Sequence, residues 1–417
     1  MTSFEYEYFN LSVNNIDSET ADEMTHEPDL VFSEVRDGPI IENTQEYDFS
    51  IENFKLDLKS LPVFIPTIRS NFELSADADV QLIQRNTTIY TVGIEYLHPS
   101  TGIRYIGYSR IIFQPQDMTK ICPNFTDGYP NYKSGYYNIY NYEYFIARCI
   151  NPAIINAILA LKSALLCYGI GLIVVLSEIM LHIMIFDKAT QIMSLNAPVE
   201  TFNGLTGASG GSFLSIIFNK PLYRLINTLP MTIQKGYFKT LDADGVQETV
   251  STEGFKLNLN NFGLVSSTAE SHPPQLDGSV IEYTSNAPDY LVVYQDYSTF
   301  DSWSPVESIV FTSSTIPVKS SMRSANHSYI NGIETTKGST NIIELELTDF
   351  KSGNYSGGII YNPSEKRWIN LLQTQELRRI NVNVYYRSKL NGDLVPIQLN
   401  SGGSFSMKMV FRKPKYF

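Results

Sequence analysis

Residues 163–186, "SALLCYGIGLIVVLSEIMLHIMIF", decide what kind of molecule this is. As one apolar helix they would cross a membrane; broken, they belong to a globular chain. A spanning helix needs about 20 apolar residues in a row. The uncharged run between Lys162 and Glu178 holds fifteen, and Glu178 and His182 beyond it are costly in lipid. Gly169 and Gly171 weaken a helix where they stand, and Gly169 is placed to end one. Upstream, Phe145, Cys149, Pro152, Ile155, Leu159, Ser163 and Leu166 recur at spacings of three and four. That is the stripe of an amphipathic helix, begun or kinked at Pro152. Downstream, "LSEIMLHIMIF" and "QIMSLNA" flank the turn "DKAT" and read as a β-hairpin. The stretch divides at its glycines into a helix end and a hairpin, and no membrane span is expected.

The rest of the chain is written mostly in strands. "YDFSIENFKLDLKSLPVFIP" sets Phe49 and Ile51, then Phe54, Leu56 and Leu58, among polar neighbours, a half-buried strand stopped by Pro62 and Pro66. "TTIYTVGIEYLHP" and "IRYIGYSRIIF", joined through "HPSTG", predict a second hairpin. "FNKPLYRLINTLP" predicts a short helix with Pro221 in its first turn. From residue 237 onward, "YFKTL", "DYLVVYQDYS", "ESIVFTSSTIPV", "NIIELELTDF", "RINVNVYYRS", "LVPIQLN" and "SFSMKMVF" each have strand length between turn residues. Many short strands with few helices mean a β-sandwich or jelly roll. The expected fold is mainly β: two tandem jelly-roll (β-sandwich) domains with a few short helices in the connecting loops. An acidic, weakly ordered arm is expected at 1–35, a first domain at 36–235 and a second at 236–417.

Composition agrees with strands. Of the 417 residues 12% are aromatic, with 27 Tyr and 23 Phe, and only 18% are charged. The three cysteines, Cys122, Cys149 and Cys167, form no CxxC pair and predict neither a disulfide framework nor a zinc site. "MTSFEYEYFNLSVNN" has no basic or apolar leader, so no signal peptide is expected. Net charge is −12 but lopsided: residues 1–60 carry fifteen acids and three bases, residues 366–417 ten bases and two acids. That asymmetry suggests two surfaces with different partners.

Catalytic signals are sparse. His26, His98, His182, His272 and His327 are scattered, with no HExxH, so no metal site is predicted. "GASGG" puts Ser209 in a G-x-S-x-G frame, but a nucleophile elbow needs a strand before it and a helix after it in an α/β sheet. A polar Ser/Gly loop is the better reading. Glu344 and Glu346 share one face of a strand, as paired glycosidase acids would and as acids on a solvated face ordinarily do. No cofactor is predicted. In "SFSMKMVFRKPKYF", Lys408, Arg412, Lys413 and Lys415, with Phe411 and Tyr416, are candidates for a polyanion, weak nucleic-acid or inter-subunit contact. The competing reading is a basic strand edge that discourages edge pairing.

Four stretches carry a family resemblance: "EVRDGPIIENTQEYDFSIENFKLDLKSLPVFIP" (34–66), "YYNIYNYEYFIARCINPAIINAILALKSA" (136–164), "SPVESIVFTSSTIPV" (304–318) and "RRINVNVYYRSKLNGDLVPIQLNSGGSFSMKMVFRK" near the end. Together they resemble capsid proteins of eukaryotic DNA viruses, of the double jelly-roll major capsid type of polinton-like viruses, adintoviruses and virophages. The resemblance implies a non-enzymatic virion subunit that forms homotrimeric, pseudo-hexagonal capsomers of an icosahedral shell. Its partners would be copies of itself and other capsid proteins such as a penton, and assembly would take place inside the host cell. Pro152 within the helix and the length of 417 residues depart from that class. They keep open a minor capsid or penton role, or a receptor- or glycan-binding spike.

Overall fold

A computed structural model describes residues 3–15, 29–56, 61–69, 76–98, 100–124, 132–170, 183–198, 214–242, 244–257, 264–265, 290–318, 326–330, 333–337, 343–346, 359–372, 374–389, 392–399 and 402–415. The chain folds into two β units. Unit 1 is made of both chain ends, Met1–Val63 and Ser304–Phe417, and unit 2 of Phe64–Trp303 between them.

The opening strands of unit 1 are β1 (Ser3–Asn14), β2 (Val31–Val35) and β3 (Asp48–Leu56). Unit 2 follows with α1 (Ala78–Arg85), β4 (Thr87–Leu97), β5 (Arg104–Ile112), α2 (Tyr142–Phe145), α3 (Asn151–Cys167), β6 (Ile183–Asp187) and β7 (Ile192–Pro198). It continues with β8 (Leu214–Phe218), α4 (Lys220–Leu225), β9 (Met231–Leu241), β10 (Gln247–Leu257), β11 (Leu264–Val265) and β12 (Tyr290–Tyr294). The chain then re-enters unit 1 with β13 (Val306–Thr312), β14 (Asn326–Ile330), β15 (Ile333–Lys337), β16 (Ile343–Glu346) and β17 (Ile359–Tyr361). It closes with β18 (Ile369–Asn370), β19 (Arg379–Ser388), β20 (Leu394–Pro396) and β21 (Ser404–Lys415).

Unit 1 is a jelly-roll sandwich. One sheet runs β1-β21-β3-β17, with β18 also on β3; the other runs β16-β13-β19-β2, with β20 also on β19. Alternating apolar residues from both inner faces fill the space between them. Phe9, Leu11, Phe49, Ile51, Phe54, Met407, Met409 and Phe411 meet Ile309, Phe311, Ile380, Val382 and Val384. Ring contacts cross the sandwich from Phe54 to Phe311 at 5.3 Å and from Phe9 to Phe32 at 6.1 Å. The broken alternation of β3 has a structural cause. Ile51 pairs with Met409 and Asn53 with Lys408, so Glu52 is an extra residue in the ladder, a β-bulge. The bulge shifts the period by one and keeps Phe49, Ile51, Phe54 and Leu56 all in the core.

In unit 2, β10-β8-β4-β5-β9 close into a barrel and β11-β12-β7-β6 form a second sheet. The expected hairpins are present as β4–β5 and β6–β7. Part of the opening stretch, 171–182, lies outside the described residues, as does the loop containing Ser209. The expected short helix is α4, capped by Asn219. The long helix ends at Gly169, whose φ is +73°. Ile170 N–H donates to Leu165 O and Gly169 N–H to Leu166 O, both at 3.0 Å, a Schellman ending.

The segment Tyr142–Cys167 is long and apolar enough to cross a bilayer. However, α3 packs on β4, β5 and β9 of its own unit, burying Ala153, Ile154, Ala157, Ile158, Leu161, Ala164 and Leu165. This face differs from the expected stripe: Leu159, Ser163 and Leu166 are exposed. The cause is a π-helical turn at Ile146–Ile150. It adds a residue to the turn and rotates everything after Cys149 by about one position. The rotation puts alanines against β5, where a Cβ at Gly107 would overlap the backbone of Ala157 and Leu161.

Two expectations about organisation are corrected. The boundary near 235 falls inside β9, because the 36–235 and 236–417 halves are not the folding units. Within the arm expected to be weakly ordered at 1–35, the described residues form β1 and β2, while 16–28 lie outside the described residues. In both cases the decisive pairing joins residues nearly a whole chain apart, beyond the reach of local periodicity.

Gly107→Ala should destabilise unit 2 by about 3 kcal/mol, the upper part of the usual range for overpacking, because the clash is with backbone. Gly38→Ala, with open space around it, should change the melting temperature little in the same thermal scan.

Candidate functional site

The basic C-terminal strand is the site the sequence singles out. It is not an edge: β21 lies between β1 and β3. This overturns the reading of a basic edge that resists pairing. Strand alternation sends Phe405, Met407, Met409 and Phe411 into the core and Lys408 and Arg412 to the outer face. Phe411 is therefore a core residue and not a surface contact.

Each described cation of the strand meets a carboxylate from the acidic beginning of the chain. Lys408 Nζ lies 2.6 Å from Glu52 Oε2, and Lys366 Nζ lies 2.6 Å from Glu52 Oε1. The bulge in β3 places Glu52 between those two ammonium groups. Arg412 Nε donates to Asp48 Oδ2 at 3.0 Å, and Asn370 Nδ2 donates to Asp48 Oδ1 at 2.7 Å. Lys413 pairs with Glu46. The Lys415 backbone pairs with Ser3; its side chain and Tyr416 lie outside the described residues.

Aromatic rings complete the layer. The Arg412 guanidinium lies 4.0 Å from the Trp368 ring centre and 4.8 Å from that of Phe4. Lys408 Nζ stands 4.4 Å from the Tyr8 ring centre. Tyr6 and Tyr8 sit with their ring planes 19° apart and centroids 6.3 Å apart, and Tyr6 also meets Trp368. Lys408 and Arg412 each have both a carboxylate and a ring, so the outer face carries cations alternating with rings. Sequence reasoning found the cations but missed Glu46, Asp48, Glu52, Tyr6, Tyr8 and Trp368. The available signal was the opposite charge of the two chain ends.

The electrostatics follow from this geometry. Partial burial pushes the Glu52 carboxyl up, but hydrogen bonds and charge from Lys366 and Lys408 outweigh it and hold the group below its usual 4.5. The hydrogen bond from Lys413, with its charge, holds Glu46 below the ordinary carboxylate range. In unit 2 the Glu95 carboxylate is fully buried, with Arg104 at 3.4 Å and Lys256 at 3.6 Å. Among the described residues no group of three His, Cys, Asp or Glu side chains is placed to hold a metal. Glu344 and Glu346 lie on β16, with side chains outside the described residues.

The sequence matches the family described as Sputnik minor capsid protein V18/19 over residues 7–413. Two solved structures share the fold nearly end to end. A chain in the 3.5 Å cryo-EM structure of the Sputnik virophage matches with TM-score 0.66 and 18% identity, covering 98% of each chain. The mavirus penton protein, known from a crystal structure, matches with TM-score 0.51 and 16% identity, covering 99% of this chain and 100% of that one. No curated protein matches.

Because the folded-state pKa of Glu52 is depressed, its ion pairs stabilise the fold above about pH 4.5 and lose that contribution as pH falls through the lowered value. Glu52→Gln should be less stable than wild type at pH 7 by about 1 kcal/mol, the scale of partly exposed ion-pair networks. Denaturant titrations from pH 7 to pH 3 should show that gap closing on the acid side.

Proposed function

The chain belongs to the Sputnik minor capsid protein V18/19 family, and from that premise we propose that this capsid protein is the penton subunit, five copies of which close a vertex of an icosahedral shell. The observation that carries the reading is the full-length likeness, covering 99% of this chain and 100% of the other, to a protein described as a penton. The family description, a minor capsid protein, points the same way. The trimeric pseudo-hexagonal capsomer is the competing reading.

The role is structural and involves no catalytic step. Its partners are copies of itself and the neighbouring capsid proteins of the shell, and assembly takes place inside the host cell. The described cations of β21 are committed to Glu46, Asp48 and Glu52, so polyanion binding by this strand gains no support. A glycan-binding spike would need the exposed tyrosines to serve sugars; the capsid family favours shell contacts.

Light scattering after gel filtration, with negative-stain imaging of the peak, tests the proposal. The expected species has five times the 47.1 kDa chain mass and a five-fold outline. A threefold mass with hexagonal outlines would assign the protein to the trimeric capsomer instead, and a stable monomer at high concentration would overturn both.

A further inference from the structure

The β1-β21-β3 sheet ends in two unlike margins. Along β1, Glu5 and Glu7 are exposed. With Glu46 they act together on Tyr47, and Lys413 is the cation among them. Alternating with these acids, Tyr6 and Tyr8 project from the outer face of the same strand and are 42% and 50% exposed. Across the sheet, on the far side of β3, Lys55 lies opposite Ile360 in register. Lys55 and Arg367 are exposed there, Lys366 reaches back to Glu52, and Glu365 is the acid on the same turn. Ile360 and Leu372 are 69% and 46% exposed. One margin is therefore acidic with two tyrosines, and the other is mainly basic with two aliphatic side chains.

We propose that these margins meet between copies: the β1 margin of one subunit docks on the β17–β18 margin of the next. The inference rests on the penton reading and names its lateral contact. The contact is heterologous, one patch against a different patch, the kind of contact that builds a ring when its rotation closes. Charge complementarity selects a second copy as the occupant, since each margin supplies what the other lacks. The tyrosines are suited to the task. Tyr8 is held under Lys408 and Tyr6 against Trp368, so little side-chain freedom remains to be lost on docking. The contact works through side chains and not by strand extension, because β17 ends at Tyr361 and β18 begins only at Ile369. A polyanion does not fit the β1 margin, whose own charge would repel it.

Charge exchange tests this on the full chain. Glu5→Lys/Glu7→Lys and Lys55→Glu/Arg367→Glu should each weaken ring formation at least about tenfold, because each sets like charges against each other. Combining all four should restore assembly to within a few-fold of wild type. Melting temperatures separate misfolding from lost contact, and the single changes Glu7→Lys and Lys55→Glu serve if either double variant folds poorly. Rings that survive both double variants, or losses that the combination does not rescue, would overturn this contact while leaving the penton reading intact. A wild-type chain that forms no ring would overturn both.

Discussion

The pairing of the acidic beginning of the chain with its basic end is the interaction on which the rest of unit 1 depends. Strand β1 runs antiparallel to β21 in unbroken register from Ser3 opposite Lys415 to Asn14 opposite Ser404, and β3 flanks β21 on its other side. Backbone pairing sets the geometry, the inner side chains supply the apolar core, and the outer ones bring opposite charges together. The lopsided charge thus reports an internal contact as much as any external partner. It also explains the bulge at Glu52: one extra residue aims a carboxylate at two ammonium groups without moving a single core residue of β3 off the inner face.

Closing a jelly roll with both ends of the chain has a consequence for organisation. Residues 64–303 lie between the two halves of unit 1 in sequence, so unit 1 cannot be complete until the last strand is made. The entropy of bringing such distant segments together must be offset by a large buried face. The inner residues of β1, β3, β19 and β21 supply it, with Phe49, Leu56, Ile380, Met409 and Phe411 almost wholly buried.

What the sequence made legible was local. The hairpins β4–β5 and β6–β7, the capped helix α4, the stop at Gly169 and the mainly β class all follow from period, turn residues and capping, whose signals lie within a few residues of one another. What escaped was non-local or involved one extra residue. Local sequence marks the N-terminal arm as weakly ordered because β1 pairs with the far end of the chain, Ser3 opposite Lys415. The buried face of α3 lies about one position off the sequence stripe because a π turn leaves no clear mark in the composition of "IARCI". At the candidate site the cations were visible, yet the carboxylates and rings that occupy them were not, since they come from strands whose adjacency only the fold reveals. The family resemblance reached the capsid class through the texture of several stretches, and the family match over residues 7–413 bears that class out.

The central claim is that the two chain ends form one sheet, and hydrogen–deuterium exchange read by mass spectrometry tests it most directly. Peptides covering β1 should be protected and should lose protection in the same step as those covering β21 and β3, as a single cooperative sheet would. If β1 exchanges freely while β21 and β3 stay protected, the ends do not pair as described, and the charged ladder and its lateral margin lose their foundation.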